Sequence, residues 1–505
     1  CLRSGCRAMM CDVSYTFTKD NIRRNQFTNL RDCVSNVVGS NEATSLDKKA
    51  ILHSLNKHEF EQIVEDFIDI RSDLPGPSLG VLSDLSWEQI VEILMNLKCA
   101  WGVIYYNSKL RKVFIGRDVF GRQSVLFSSD ASSITISYLG RPTTENWHEL
   151  PYAQVSVIDA SDIFSTLCLC SYLHDYPDDM DQVWRSLFTT VHRQINKSKE
   201  NMITVSRSIS PIGTSNKLKD HLISAIRMLI PPSVSSVGVC FSGGVDSLLI
   251  SHLVLSISPS SFPIYLINVA FGDDESFISR ASDRARSIAA YSYLRDQFPL
   301  HDLHLILVNV TRSSLQSARS ILIPLSTRPS STVLDESIAS VLHFAFQGTG
   351  IDFDTKKEIR CTSPIRLMGS GADELFAGYA RHRHRYERDG YSSGIAEECE
   401  VELRRLGVRN GGRDARVALV NGIEIKSPFL HDDLVEWANG LSMEDKADLS
   451  LPRGIGEKKI IRECLHSLNA PHQSPKQAMQ FGSGMVKMEN GRNQKGSYLS
   501  THLEI

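Results

Sequence analysis

The spacing of apolar residues changes along the chain, and each change predicts a different kind of structure. In KKAILHSLNKHEFEQIVEDFIDI (48–70) the apolar positions Ile51, Leu52, Leu55, Phe60, Ile63, Val64, Phe67 and Ile68 recur near a 3.6-residue period. That spacing predicts an amphipathic helix or helix pair, ended by the turn-rich SDLPGPSLG (72–80). From about 84 to 190 the pattern becomes strand-like. WGVIYY (101–106) and KVFIGRD (112–118) flank the polar NSKLR and predict a hairpin, and ITISYLG (134–140) and AQVSVID (153–159) add two strands. Residues 196–216 are Ser-rich and polar, and we place a linker there.

Beyond the linker, helix and strand patterns alternate. LKDHLISAIRMLI (218–230) reads as a helix, SVGVCF (236–241) as a strand and DSLLISHLVLSI (246–257) as a helix. PIYLINVAF (263–271) is a strand, SRASDRARSIAAYSYLRDQF (279–298) a helix and LHLILVNV (303–310) a strand. STVLDESIASVLHFAFQ (331–347) is a helix, IRLMG (365–369) a strand and DELFAGYARHRHRY (373–386) a helix. This rhythm predicts a parallel sheet with helices on both faces. The chain to about 487 reads as mainly helical, and 488–505 as a polar tail.

Composition narrows the class. The chain has 505 residues, 42% hydrophobic and 22% charged, as in an ordinary globular protein of several domains. Its formal charge of −3 gives no reason to expect nucleic acid or an anionic membrane as a partner. No apolar run is long enough to span a bilayer. The 11 cysteines are scattered without a C-x-x-C pair, which disfavours a zinc or dithiol site and suggests a reducing, cytoplasmic setting. Cys168 and Cys170 fall on one face of a strand-like run and read as core residues. The chain opens on Cys rather than Met, with no charged-then-apolar signal segment, and so reads as a fragment or a processed form.

The strongest chemical signal is SGGVDS, Ser242–Ser247, between a strand and a helix. Backbone N–H groups and the helix dipole make an anion site there. Gly243 and Gly244 let a phosphate approach the backbone, and Ser242 and Ser247 add hydroxyls. Asp246 would repel that phosphate unless a cation such as Mg²⁺ bridged them. The loop resembles the pyrophosphate loop of ATP pyrophosphatases, and the chain lacks the alternative Gly-rich loop that ends in Gly-Lys-Ser/Thr. The resemblance implies cleavage of ATP to AMP and pyrophosphate. A second strand-to-helix segment, GSGADELFAGYAR (369–381), resembles the second signature of asparagine synthetases and β-lactam synthetases. By that resemblance Asp373 is a second metal ligand facing Asp246, the plainer and lesser reading being a helix N-cap. PRGIGEKKIIREC (452–464) resembles the segment whose Lys touches the transferring phosphate. The pattern puts that Lys at Lys458, with Lys459 the adjacent alternative.

Together these segments are similar to the asparagine synthetase family over roughly residues 215–485. WGVIYY to GRDVFGRQSVLF (116–127) resembles the later part of a class II glutamine amidotransferase domain. The implied fold is α/β. An uncertain, partly helical segment (1–84) comes first, followed by an incomplete β-rich Ntn-type amidotransferase-like domain (85–195) and the linker (196–216). A doubly wound parallel-sheet ATP-pyrophosphatase domain (217–487) and the tail (488–505) complete it. The implied activity is amidation of aspartate through an aspartyl-adenylate, in asparagine biosynthesis, with ATP and Mg²⁺ as cofactors and nitrogen from glutamine or ammonia. The implied nucleotide site holds Phe241, Ser242, Gly243, Gly244, Asp246, Ser247, Val269, Ser370 and Gly371, with the metal on Asp246 and Asp373.

The chain departs from the family in four places. The family's N-terminal nucleophile is Cys followed by Gly-Ile or similar, whereas Cys1 precedes Leu2-Arg3 and Cys11 precedes Asp12. The glutamine-binding Arg-Gly-Pro-Asp and Asn-Gly-Glu-Ile-Tyr-Asn elements are not found. The family's catalytic Glu falls on Ser370, whose hydroxyl is not a base at neutral pH without help. In IKSPFL (425–430) the following residue is His431, where the family has Asp. Two other readings therefore stand beside the first: a nucleotide-binding pseudoenzyme, and an adenylating enzyme with another carboxylate acceptor. ARHRHRY (380–386) reads as a solvated helix face.

Overall fold

The computed structural model describes residues 82–129, 133–140, 146–159, 197–206, 215–320, 322–389, 393–471 and 477–489. It adds 473, 475 and five stretches of strand backbone at 12–18, 22–27, 67–72, 167–171 and 191–195. Eighteen strands run through it. The first eleven are β1 (Asp12–Thr18), β2 (Ile22–Phe27), β3 (Phe67–Ser72), β4 (Trp101–Asn107), β5 (Lys112–Arg117), β6 (Leu126–Ser129), β7 (Ser133–Ser137), β8 (His148–Glu149), β9 (Gln154–Asp159), β10 (Leu167–Ser171) and β11 (Val191–Ile195). They form two sheets in the orders β2-β1-β7-β6-β8 and β11-β10-β9-β5-β4-β3, antiparallel except between β10 and β11.

The expected hairpin is β4–β5, in the register Gly102↔Arg117 to Asn107↔Lys112. The helix expected over 48–70 is corrected at its end. Phe67 and Ile68 lie in β3, paired to Tyr106 and Tyr105, and the rest lies outside the described residues. The winning signal is the alternation of FIDIRS, whose ladder to β4 satisfies backbone groups that a lone helix end leaves open. Because β1 pairs with β7 and β3 with β4, residues before 84 share sheets with those after it. Only the backbone of Cys168 and Cys170 is described, on β10.

The remaining strands are β12 (Val237–Cys240), β13 (Ile264–Phe271), β14 (Leu303–Val310), β15 (Thr349–Asp352), β16 (Glu358–Arg360), β17 (Ile365–Leu367) and β18 (Glu424–Lys426). They form a sheet in the order β16-β15-β14-β13-β12-β17-β18. β12, β13, β14, β17 and β18 are parallel, and the unexpected β15 and β16 extend one edge antiparallel. All eight residues of β13 are buried, as a parallel strand covered on both faces requires. Alternate residues serve opposite faces. Ile264, Leu266, Leu303 and Leu305 join one apolar cluster, while Tyr265, Ile267, Val269, Ile306 and Val308 join another.

The helices Ser215–Leu229, Val245–Ile257 and Lys459–Ser467 pack together, and Val333–Gln347 packs with Gly411–Val420. The helix Val333–Gln347 is capped by Thr332, whose hydroxyl accepts from Asp335 N at 3.1 Å, and ends at the left-handed Gly348. Trp101, Phe114 and Tyr152 of the first half share one core cluster with Leu222, Leu248 and Leu434 of the second. The described part of the linker is packed into it: Met202, Ile203 and Val205 are buried, and Ser206 N donates to Asn439 O. Polar bonds tie the halves too. Asp432 accepts from Cys99 N (3.0 Å), Arg122 (3.3 Å) and Lys199 (3.0 Å), and Arg416 holds Glu149 at 2.5 Å.

The helix expected over 373–386 is two helices, Ala372–Leu375 and Ala380–Asp389. Between them Ala377 takes φ 53°. The break folds Gly378 over buried charges. A Cβ there would lie 2.0 Å from Asp373 Oδ1 and 2.3 Å from Lys458 Cε.

Candidate functional site

Strands β13 and β14 lie on one side of β12, and β17 and β18 on the other. The order in which the chain fills the sheet therefore reverses between β12 and β17, and loops leaving two neighbouring parallel strands diverge there to open a crevice. The loop after β12 is SGGVDS, and the loop after β17 is GSGAD. Both expected segments thus reach one place because β12 and β17 pair, in the register Val239↔Leu367. A cleft open to solvent lies between them.

The glycines set the approach. Gly243 has φ 69°, and a Cβ on it would sit 2.4 Å from the Arg286 carbonyl carbon. A Cβ on Gly369 would lie 2.9 Å from Asp246 Cβ, so the two loops touch without a side chain between them. Gly244 is the N-cap of Val245–Ile257. Its N–H donates to Ser242 Oγ at 3.3 Å, and Ser247 Oγ donates to its carbonyl at 3.2 Å.

Lys458 is fully buried between two carboxylates. Its Nζ donates to Asp246 Oδ2 at 2.5 Å and lies 2.7 Å from Asp373 Oδ1. Burial alone would lower its pKa, but Asp246 and Asp373 outweigh burial and hold the ammonium above the ordinary lysine value. The residue takes φ 55°, caps the helix Lys459–Ser467, and donates its backbone N–H to Phe376 O at 3.0 Å. Glu457 braces the loop, accepting from Gly454 N at 2.7 Å, while its carbonyl accepts from Arg462 Nε at 2.7 Å. Lys459, the alternative, points away to Glu444 O.

The cleft therefore brings together Phe241, Ser242, Asp246, Ser247, Val269, Ser370 and Asp373 as lining residues, with Gly243, Gly244 and Gly371 in the backbone of its two loops and Lys458 bonded beneath. Cys1 and Cys11 lie outside the described residues.

The donor set fits a divalent cation. Asp246 Oδ1 is buried with no hydrogen-bond partner, and two carboxylates beside a phosphate-sized loop suit Mg²⁺, which takes few protein oxygens and completes its shell from phosphates and water. Among the described residues no group of three or more His, Cys, Asp or Glu is placed to hold a metal alone.

Several lining residues were not singled out from the sequence. Tyr379 donates to Glu374 Oε1 at 2.7 Å, and burial with the neighbouring carboxylates raises its pKa. His382 stacks on Tyr379, and burial pushes its pKa down to about 3, so it is neutral. Its Nδ1 accepts from Tyr379 N at 3.1 Å. Asp283 pairs with Arg286 at the cleft wall, and Arg413 bridges Asp335 (2.7 Å) and Asp414 (2.8 Å). The charged GRDAR (412–416) inside a helical stretch was the available signal for that cluster.

The expectation of a solvated face over 380–386 holds for Ala380, Arg381 and His384, which are exposed, and is corrected for His382, Arg383 and Arg385. Arg381 pairs with Glu402 (2.8 Å), Arg385 pairs with Glu397 (2.7 Å), and His382 is fully buried. Arg383 donates to the carbonyls of Leu449 and Leu451. The 377–378 kink presses this helix onto its neighbours. In place of Asp, His431 is buried, with a pKa lowered by burial, and the following Asp432 makes the carboxylate contacts.

No family model matches the chain. Asparagine synthetase domain-containing protein 1 of Mus musculus is 28% identical, over 83% of this chain and 83% of that protein. Putative asparagine synthetase (glutamine-hydrolyzing) 1 of Methanocaldococcus jannaschii is 29% identical, over 28% of this chain and 32% of that protein. Among solved structures, a Bacillus subtilis glutamine phosphoribosylpyrophosphate amidotransferase covers 60% of the chain and is itself covered over 76%. Its TM-score is 0.21 at 12% identity. By its two loop segments, and by a likeness that runs over most of both chains, the protein is similar to the asparagine synthetase family.

Proposed function

We propose that this chain is an ATP-dependent ligase. It would join nitrogen to a carboxylate, aspartate first among candidates, through an acyl-adenylate, with release of pyrophosphate and AMP. The observation that carries this reading is the Lys458 ammonium clasped by Asp246 and Asp373 beside the glycine loop that opens the helix Val245–Ile257.

The Ser242–Ser247 loop binds the pyrophosphate end of ATP through its N–H groups and the start of the helix Val245–Ile257. Asp246 and Asp373 would hold Mg²⁺, which supplies charge neutralisation as pyrophosphate leaves. Lys458 places its positive charge against the phosphate that changes bonding partner. Phe241 and Val269 line the cleft on its apolar side. The two antiparallel sheets of the first half support an Ntn-type amidotransferase-like unit, with ammonia from glutamine if that unit works and from solution otherwise.

The test is pyrophosphate release from ATP and Mg²⁺, with and without aspartate, on wild type and Asp246→Ala. Aspartate-dependent release, abolished by the substitution, is the expected result. ADP formation, or no release with ATP bound, refutes it. Ser370 favours a second reading, a nucleotide-binding protein without turnover, because the family glutamate is missing there. An exchange response to other carboxylates but not to aspartate would mark a different acceptor.

A further inference from the structure

A ligase of the proposed kind needs a base for its nucleophile, and Ser370 is not one. Beside the main cleft lies a smaller cavity reaching Ala100, Phe120 and Arg122 of the first half. Ser370, Leu406, Asn410 and Asp414 line both spaces and so form the wall between them. Asp414 is the one ionisable side chain of those four.

The other carboxylates of the cleft are committed. Asp246 and Asp373 hold Lys458, Asp283 pairs with Arg286, and Glu374 accepts the Tyr379 hydroxyl. Asp414 differs in its two oxygens. Oδ1 takes both hydrogen bonds from Arg413, at 3.0 Å from Nε and 2.8 Å from Nη2, and Oδ2 takes none from the described residues. Arg413 is itself fixed by Asp335, which the Ser330 and Thr332 hydroxyls hold. The carboxylate is thus oriented by a rigid chain of bonds, with one oxygen left for a ligand.

We propose that Asp414 receives the nitrogen nucleophile of this enzyme, doing from the helix Gly411–Val420 the work that the family glutamate does at position 370. The proposal rests on the acyl-adenylate reading above. An ammonium ion seats on Oδ2 and gives one proton to the carboxylate. The freed nitrogen lone pair attacks the acyl carbon and a C–N bond forms. The C–O bond to the AMP phosphate breaks, and AMP keeps that electron pair. A second proton passes from the new nitrogen to the departing phosphate. Burial holds the Asp414 carboxyl above the ordinary aspartate range against the pull of Arg413, which suits a group that must take a proton.

The experiment separates the two half-reactions. Isotope exchange between pyrophosphate and ATP reports adenylation alone, and asparagine formed with ammonium chloride reports the second step. For Asp414→Asn, exchange is expected to stay within about threefold of wild type, while ammonium-dependent amide formation falls roughly 100-fold or more. Unchanged amide formation overturns the proposal, as does loss of exchange in the variant alone, since Asp414 would then be structural. Absence of exchange in wild type fails the underlying reading instead. If Asp414→Asn does not fold, Asp414→Glu keeps the charge and displaces it. The expected result is then roughly a tenfold higher KM for ammonium with exchange intact, and an unchanged KM overturns the assignment.

Discussion

Replacing Lys458 with Met tests the centre of the site without relying on turnover. Met keeps an unbranched chain of similar length and removes the charge. In the wild type one ammonium, 2.5 Å from Asp246 and 2.7 Å from Asp373, neutralises both carboxylates. Without it, two carboxylates stay desolvated within reach of the same vacated point and repel. Breaking a buried ion pair by deleting one partner costs about 3–5 kcal/mol. Stabilities of whole domains are only about 5–15 kcal/mol, so the loss is visible in thermal unfolding.

The deletion also leaves a divalent-cation site with no internal competitor. At a cation concentration of about 100 Kd, binding returns about 2.7 kcal/mol, most of what was lost. In wild type the cation must first displace the ammonium, so without nucleotide it adds little. The assay is thermal denaturation of both proteins with and without millimolar MgCl₂ or MnCl₂. The expected result is a large drop for Lys458→Met that the cation mostly reverses, with little response from wild type. A variant as stable as wild type, or an equal cation response in the two proteins, refutes the clasp.

Other outcomes follow from the same contacts. Gly243→Ala puts a methyl 2.4 Å from the Arg286 backbone at φ 69°, so it should abolish ATP binding by equilibrium titration and cost more than about 2 kcal/mol in unfolding. Asp432→Ala removes the acceptor of Cys99 N, Arg122 and Lys199, and should lower stability by about 3–5 kcal/mol and speed proteolytic cleavage near the 197–206 connection. Lys446 is fully buried, its Nζ has no hydrogen-bond partner, and burial lowers its pKa to about 8. A lowered folded pKa means that the penalty is absent above about 10.5, grows as pH falls to about 8 and is constant below. Lys446→Met should therefore stabilise by about 3 kcal/mol at neutral pH and by far less near pH 10.5, and denaturant unfolding at both pH values checks the difference.

The two glycine segments were legible because each combines a short apolar strand, small residues and a helix start, a pattern with few other uses. Their meeting was implied only by the resemblance that set Asp373 facing Asp246, because it depends on β17 pairing beside β12 rather than beyond β14, which no local pattern encodes. Lys458 was placed by resemblance to a motif, and its burial under two carboxylates is a fact of tertiary packing that no local pattern encodes. The split of 373–386 was missed for the same reason. Gly378 is the one poor helix former from Asp373 to Tyr386, a weak local signal, and seating it against Asp373 and Lys458 makes the break. The long apolar run of β13 read correctly, since a strand buried on both faces needs no alternation. Asp414 was passed over because GRDAR looks like a surface charge run until Asp335, more than seventy residues earlier, is folded against Arg413.

The two halves are mechanically one object around this wall. Arg416, two residues along the helix that carries Asp414, binds Glu149 of β8 and the Ser124 hydroxyl at 2.9 Å, while its Nε donates to the Ser326 carbonyl at 3.0 Å. Glu149 also meets Arg117 at 3.2 Å, and both sides of that pair are buried. Gly411 and Gly412 open the same helix against the first half: a Cβ on Gly411 would lie 2.3 Å from Gly121 O, and one on Gly412 2.2 Å from Glu149 Oε1. A shift of β8 or of the Gly121 turn must therefore move the helix Gly411–Val420, and Asp414 with it. Packed contacts and buried ion pairs transmit displacement because they have few alternative arrangements. The carboxylate on that helix lines the spaces on both sides, so the packing that fixes the helix against the first half also fixes Asp414 in the cleft wall.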